Sequence, residues 1–153
     1  MRNVYLDNAA TTAPSARAMK AAADGMTSLW ANPSSVYSIG NDTAKALAKA
    51  RREVAEGFGA GYADGSVIFT GSGTEANNFA IFGSVYAKKR KSGSGGTRGD
   101  VLITDSEHPS VDLCAKRLGE DGFAVIRIPT AGGAIDTEAL KSCLLYTSPS
   151  PRD

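Results

Sequence analysis

Apolar and polar positions in this chain follow two different periods. From Asp42 to Phe58, the residues Ala44, Leu47, Ala48, Val54, Ala55 and Phe58 recur at helical spacing. Lys45, Lys49, Arg52, Glu53 and Glu56 stand between them, which predicts an amphipathic helix with one solvated charged side. Lys49–Glu53 and Arg52–Glu56 have i,i+4 spacing, worth about a few tenths of a kcal/mol each, and Gly57, Gly59 and Gly61 stop the helix. Upstream, Pro14 suits the opening of a helical stretch, with Ala18, Met19, Ala22, Met26 and Leu29 as its buried side. The short apolar runs Val67–Thr70, Val101–Thr104 and Phe123–Ile128 predict strands. Helical patterns separate them. Phe79, Phe82 and Tyr86 share one face after the first run, and Val111–Leu118 follows the second, with Cys114 on its buried side as a small hydrophobe. Gly132-Gly133 turns the chain, and Asp136–Leu140 begins a further helix. Alternating strands and helices predict βαβ units, hence an α/β fold with a mostly parallel sheet and helices on both faces.

The densest chemistry lies where the first of these runs ends. Gly71-Ser72-Gly73-Thr74 separates the run from the helix behind it, and Ser72 and Glu75 have the spacing of a capping box. A helix start leaves backbone N–H groups without partners at the positive end of the dipole, so this turn is a candidate phosphate cradle. Gly71 and Gly73 remove β-carbons from its surface, and Thr74 adds a hydroxyl donor. No lysine follows the glycines, which excludes the nucleoside-triphosphate loop. Gly71-x-Gly73-x-x-Ala76 satisfies the looser dinucleotide fingerprint, but Asp105 comes too late to serve as its ribose-binding acid. The same letters also describe a capped helix that holds no ligand.

Composition narrows the classes. A formal net charge of +1 creates no long-range field for nucleic acid or an anionic membrane. Lys88-Lys89-Arg90-Lys91 reads as cations against a helix C-terminus, followed by a flexible surface connection through Gly99. No aromatic residue interleaves these charges for base stacking. Two cysteines, Cys114 and Cys143, are too few for a disulfide framework. Met1–Asp7 lacks the apolar core of a secretory signal, and no run is long enough to span a bilayer. A cytoplasmic protein without a membrane or nucleic-acid partner is the expectation, and no metal site is expected. Asn32-Pro33-Ser34-Ser35 is turn chemistry. His108 follows the Val101–Thr104 strand, at the strand end where parallel sheets bind ligands.

Four stretches carry a resemblance. Phe69-Thr70-Gly71-Ser72-Gly73-Thr74-Glu75-Ala76-Asn77-Asn78 resembles the cofactor-phosphate loop of the cysteine desulfurases, in the class V aminotransferase group of pyridoxal-phosphate (PLP) enzymes. Tyr5-Leu6-Asp7-Asn8-Ala9-Ala10-Thr11-Thr12 is similar to that family's N-terminal signature, Asn32-Pro33-Ser34-Ser35 to its next loop, and Glu107-His108-Pro109-Ser110-Val111 to its histidine segment. Ordered matches over about the first 140 residues are far more specific than any single one.

The resemblance implies part of the large domain of the aspartate-aminotransferase-like PLP fold. It implies a homodimer with its active site at the subunit interface, and PLP held at Gly73 and Thr74. His108 would stack on the pyridine ring and help move protons, and Asn32 would lie near the substrate. The implied reaction converts L-cysteine to L-alanine and leaves sulfur as a persulfide on an enzyme cysteine. That sulfur goes to an acceptor protein for iron–sulfur cluster assembly or thiolation. A selenocysteine lyase or another class V aminotransferase is the nearest alternative, and a non-enzymatic phosphate- or dinucleotide-binding domain the more distant one. Tyr37 stands where the family commonly has histidine. Neither Cys114 nor Cys143 matches the family's sulfur-carrying cysteine. Lys88, Lys89 and Lys91 do not match the lysine that holds the cofactor's aldehyde, so these 153 residues alone are expected to be inactive. Residues 1–142 are expected to form the N-terminal part of the domain, cut short. Residues 143–153, rich in Ser and Pro, are expected to be an unrelated disordered tail that continues neither helix nor sheet.

Overall fold

A computed structural model of the chain describes residues 4–61, 67–91 and 101–147. It divides into two compact units, residues 1–68 and 69–153.

The first unit contains two helices. Helix α1 spans Ala16–Ser28 and starts on Ser15, whose hydroxyl accepts the Ala18 N–H at 3.1 Å. Pro14 therefore lies just outside the helix. The apolar side expected of α1 is not buried. None of its residues is, and Met19 and Met26 are exposed, because burial needs a surface to cover it and periodicity only supplies the stripe.

Helix α2 spans Ser38–Gly57, four residues earlier than its apolar pattern suggests. The turn before it explains the early start. The Asn32 carbonyl accepts both the Ser35 N–H at 3.0 Å and the Ser35 hydroxyl at 2.9 Å. This turn sits so close to Gly40 that a Cβ there would meet the Ser35 Oγ at 2.1 Å and the Asn32 oxygen at 2.8 Å. At its other end, Gly59 adopts φ 69°. The Ala60 N–H reaches the Ala55 carbonyl and the Gly59 N–H that of Glu56, which is a Schellman close. Of the three glycines expected to stop the helix, Gly59 carries the left-handed turn. Phe58 was expected on the buried face but lies 87 % exposed beside this reversal, while Ala55 is buried. The expected Lys49–Glu53 pair forms at 3.6 Å.

The second unit holds the βαβ element. Strands β1 (Val101–Thr104) and β2 (Val125–Ile128) pair in parallel, Val101 against Val125 through Thr104 against Ile128. A parallel pair needs a crossover, and helix α4 (Pro109–Glu120) provides it. Cys114, Ala115 and Leu118 of α4 are buried, as are Phe123 and Ile128, and together they form the unit's core. Helix α3 (Gly73–Lys91) packs on α4. Phe82 and Tyr86 of α3 stack at 5.9 Å, Phe123 meets Tyr86 edge-on, and the Tyr86 hydroxyl donates to Asp121. Phe79, expected on the same face, is 58 % exposed. Asp121 and Phe123 follow the end of α4 and meet Tyr86, in the later turns of α3.

Val67–Thr70, predicted as a strand, is not one. A strand is defined by its ladder, and among the described residues these four have no pairing partner. Gly132 and Gly133, both at positive φ, turn a two-residue hairpin between β3 (Thr130–Ala131) and β4 (Ala134–Ile135). Helix α5 spans Thr137–Thr147, with the Asp136 carboxylate accepting the N–H groups of Glu138 and Ala139. It runs past residue 142, where the sequence reading places the end of the domain. Cys143–Thr147 contain no glycine or proline to break the helix, and the next proline along the sequence is Pro149. The rest of the expected tail, residues 148–153, and the connection over 92–100 lie outside the described residues. Among the described residues no helix is long and apolar enough to cross a membrane.

Candidate functional site

The cradle is built by capping. The Ser72 hydroxyl accepts the Glu75 N–H at 3.1 Å, as the spacing anticipates. The Glu75 carboxylate reaches past the cap residue and takes the Gly71 N–H at 2.7 Å. The Thr70 hydroxyl donates to the Ser72 carbonyl at 3.0 Å. The N–H groups of Ser72, Gly73 and Thr74 are left without a partner among the described residues, at the positive end of a 19-residue helix. The two glycines do different work. A Cβ on Gly71 would stand 3.2 Å from the Glu75 carboxylate, whereas a Cβ on Gly73 would meet nothing within 4 Å. Gly73 is therefore not demanded by packing, and its φ is not positive. It leaves open the space in front of the three free amides. Three N–H groups without partners at a helix start, with a threonine among those residues, suit a phosphate dianion.

His108 is held to the same helix. The end of β1 is clamped where the Thr104 hydroxyl donates to Glu107 at 2.7 Å and the Asp105 N–H donates to the Ile128 carbonyl at 3.1 Å. The Thr130 hydroxyl donates to the Asp105 carboxylate at 2.5 Å, which holds that carboxyl below the usual carboxylate range. His108 then caps α4, with Pro109 at the first helical position. Its Nδ1 accepts the Ser110 N–H at 3.1 Å and lies 2.8 Å from the Ser110 hydroxyl. That hydroxyl lies 2.8 Å from Nδ2 of Asn77, one turn along α3 from Gly73 and Thr74. His108 is thus both a helix cap and an exposed imidazole tied to the cradle helix.

Asn32 belongs to the first unit. Its side-chain oxygen accepts the Ser34 N–H at 2.9 Å and closes the turn, and its amide nitrogen has no partner among the described residues. Tyr37 caps α2 through backbone alone, and its ring is exposed. Cys114 behaves as expected. It is buried, its Sγ donates to the Ser110 carbonyl at 3.0 Å, and burial pushes its thiol pKa up, which disfavours the nucleophilic thiolate. A cleft of about 360 Å³ runs along β1 between α3 and α4, lined by Ile81, Val85, Val101, Ile103, Val111 and Ala115. Its lining also takes in Ser84 and Glu107 but none of Gly73, Thr74 and His108, so it is a mainly apolar gap beside the strand and not the anion's seat. Sequence reasoning gave no role to Asn77 or Ser110. Pro109 marks the helix start in the sequence, but no local signal ties Ser110 to the ring or to Asn77.

Residues 4–147 match the family model of the class-V aminotransferases. This chain belongs to the class-V aminotransferase family. It is 38 % identical over 146 residues to a cysteine desulfurase of Cereibacter sphaeroides, covering 94 % of this chain and 36 % of that protein. It is 35 % identical over 145 residues to the cysteine desulfurase NifS of Azotobacter vinelandii, covering 94 % of this chain and 34 % of NifS. A solved structure of a NifS-like protein superposes with a TM-score of 0.76 at 29 % identity, over 92 % of this chain and 37 % of that one. The chain thus spans 34 to 36 % of the length of these curated relatives. The α/β class expected from strand–helix alternation is the class of this family. The match extends through Thr147, so Cys143–Thr147 lie inside the family's span.

Proposed function

We propose that this chain is the N-terminal part of a PLP-dependent cysteine desulfurase. In this reading the N–H groups of Ser72, Gly73 and Thr74 and the Thr74 hydroxyl receive the cofactor's phosphate. His108 lies against its ring, and Asn32 meets the substrate. When bound, PLP supplies an electron sink for the bonds broken at the substrate's Cα. Nδ1 of His108 is engaged by Ser110, so any proton the imidazole carries to or from the reacting centre passes through Nε2. The whole protein would convert L-cysteine to L-alanine, work as a homodimer in the cytoplasm, and pass sulfur from an enzyme cysteine to an acceptor for iron–sulfur cluster assembly or thiolation.

One observation carries the reading. The only imidazole in the sequence is tied through Ser110 and Asn77 to the helix whose first turn presents three free amides. The names of the relatives support the substrate. The test is PLP binding to the 153-residue chain, followed by absorbance and phosphorus resonance. PLP is expected to bind, pyridoxal without its phosphate is expected not to compete, and NADH is expected to show no fluorescence change. Equal competition by pyridoxal would overturn the phosphate assignment, and NADH binding would favour a dinucleotide domain. With PLP and cysteine added, alanine and sulfide should not exceed the yield of free PLP, because Cys114 is buried and no lysine here fills the aldehyde-holding role.

A further inference from the structure

We infer that Ser110 and Asn77 are positioning residues that fix the tautomer of His108, so that Nδ1 is a pure acceptor and Nε2 carries the outward proton. The direction of each hydrogen bond follows from one end of the chain of contacts. The Ser110 backbone N–H can only donate, and it points at Nδ1 from 3.1 Å. Nδ1 therefore presents a lone pair, because a proton there would face a second donor. The Ser110 hydroxyl, 2.8 Å from the same nitrogen, must then donate to it. With its proton committed, that oxygen can only accept from its remaining neighbour, the Asn77 amide at 2.8 Å. The donors run one way, from Asn77 Nδ2 to Ser110 Oγ to His108 Nδ1.

Burial gives this order its force. Ser110 is only 6 % exposed, so water does not compete freely for its hydroxyl. The ring itself is exposed, and without the relay it could turn over or exchange tautomers with solvent. Asn77 lies in the second turn of α3, so the relay also links the ring to the helix that carries the cradle. The fixed ring direction is a property of this chain alone. Its value for catalysis rests on the proposed cofactor site.

His108 is the only histidine, so one ring reports without assignment ambiguity. The full chain, labelled with nitrogen-15, is examined by long-range proton–nitrogen correlation at a pH where the ring is neutral. The expected wild-type spectrum shows Nε2 protonated and Nδ1 as an acceptor, with the Nδ1 resonance displaced by two donors. Ser110→Ala should move Nδ1 towards the position of a singly bonded acceptor, with Nε2 still protonated because the backbone N–H at residue 110 remains. Ser110→Thr, which keeps the hydroxyl, should restore the wild-type shift. Asn77→Ala should give a smaller displacement, because it only frees the hydroxyl to rotate. An Nδ1-protonated ring in the wild type, or an Nδ1 resonance that does not move in Ser110→Ala, would overturn the inference. If Ser110→Ala does not fold, the wild-type tautomer still decides. PLP binding is measured separately. Failure to bind PLP with the ring signature intact would sink the functional reading only, and PLP binding with an indifferent ring would sink only the relay.

Discussion

Gly73→Ala separates the fold of this chain from its proposed use. Gly73 opens α3 without a positive φ, and a Cβ there meets no atom within 4 Å. An alanine at a compatible position removes backbone freedom from the unfolded chain, worth about 0.4–1 kcal/mol of added stability. The new methyl group would stand in the space before the Ser72, Gly73 and Thr74 amides. A phosphate displaced from one of these charge-assisted hydrogen bonds loses about 1.5–3 kcal/mol. This corresponds to a PLP affinity about tenfold to a hundredfold weaker. The assay pairs a urea unfolding curve with a PLP titration on the same preparation. Equal or higher stability with weakened PLP binding is expected. Unchanged PLP affinity would refute the cradle. Destabilisation by more than about 1 kcal/mol would refute the reading of Gly73 as free of packing demands.

Three further outcomes are expected. Leu118→Ala removes the largest fully buried side chain, at 0 % exposure, and should cost about 2–5 kcal/mol by urea unfolding; a loss below about 1 kcal/mol would show that α4 does not centre the core. The Asp105 carboxyl is depressed first by the Thr130 hydroxyl bond, so its contribution is fully present above the ordinary carboxylate pKa and is lost as pH falls through its lower folded value. Thr130→Val should therefore flatten the acid limb of a stability-against-pH curve below about pH 4 and leave the neutral region's slope unchanged. Cys114 should resist a thiol reagent at pH 8 in the folded chain and react on adding urea, as read by peptide mass; rapid labelling in the native state would contradict its burial.

Much of the site was legible because its pieces are local. The Ser72–Glu75 cap, the Gly132-Gly133 turn and the strand Val101–Thr104 each depend on residues within a few positions of one another. Even so, Glu75 was expected to close its own cap and instead took the amide of Gly71. That one-residue difference decides which N–H groups stay free, and composition cannot distinguish the two.

By itself, then, the sequence determined the helices, the caps, the parallel βαβ unit and the family, since each is written in short-range periodicity or in ordered motifs. Only the tertiary structure decided what those elements meet. Val67–Thr70 has strand composition but no ladder, α1 has an apolar stripe but nothing burying it, and Phe58 turns outward at a glycine reversal. Ser110 and Asn77, 33 positions apart, come together only because α3 packs on α4. Hydrogen bonds and burial at that separation depend on the position of a distant partner, which no local pattern encodes.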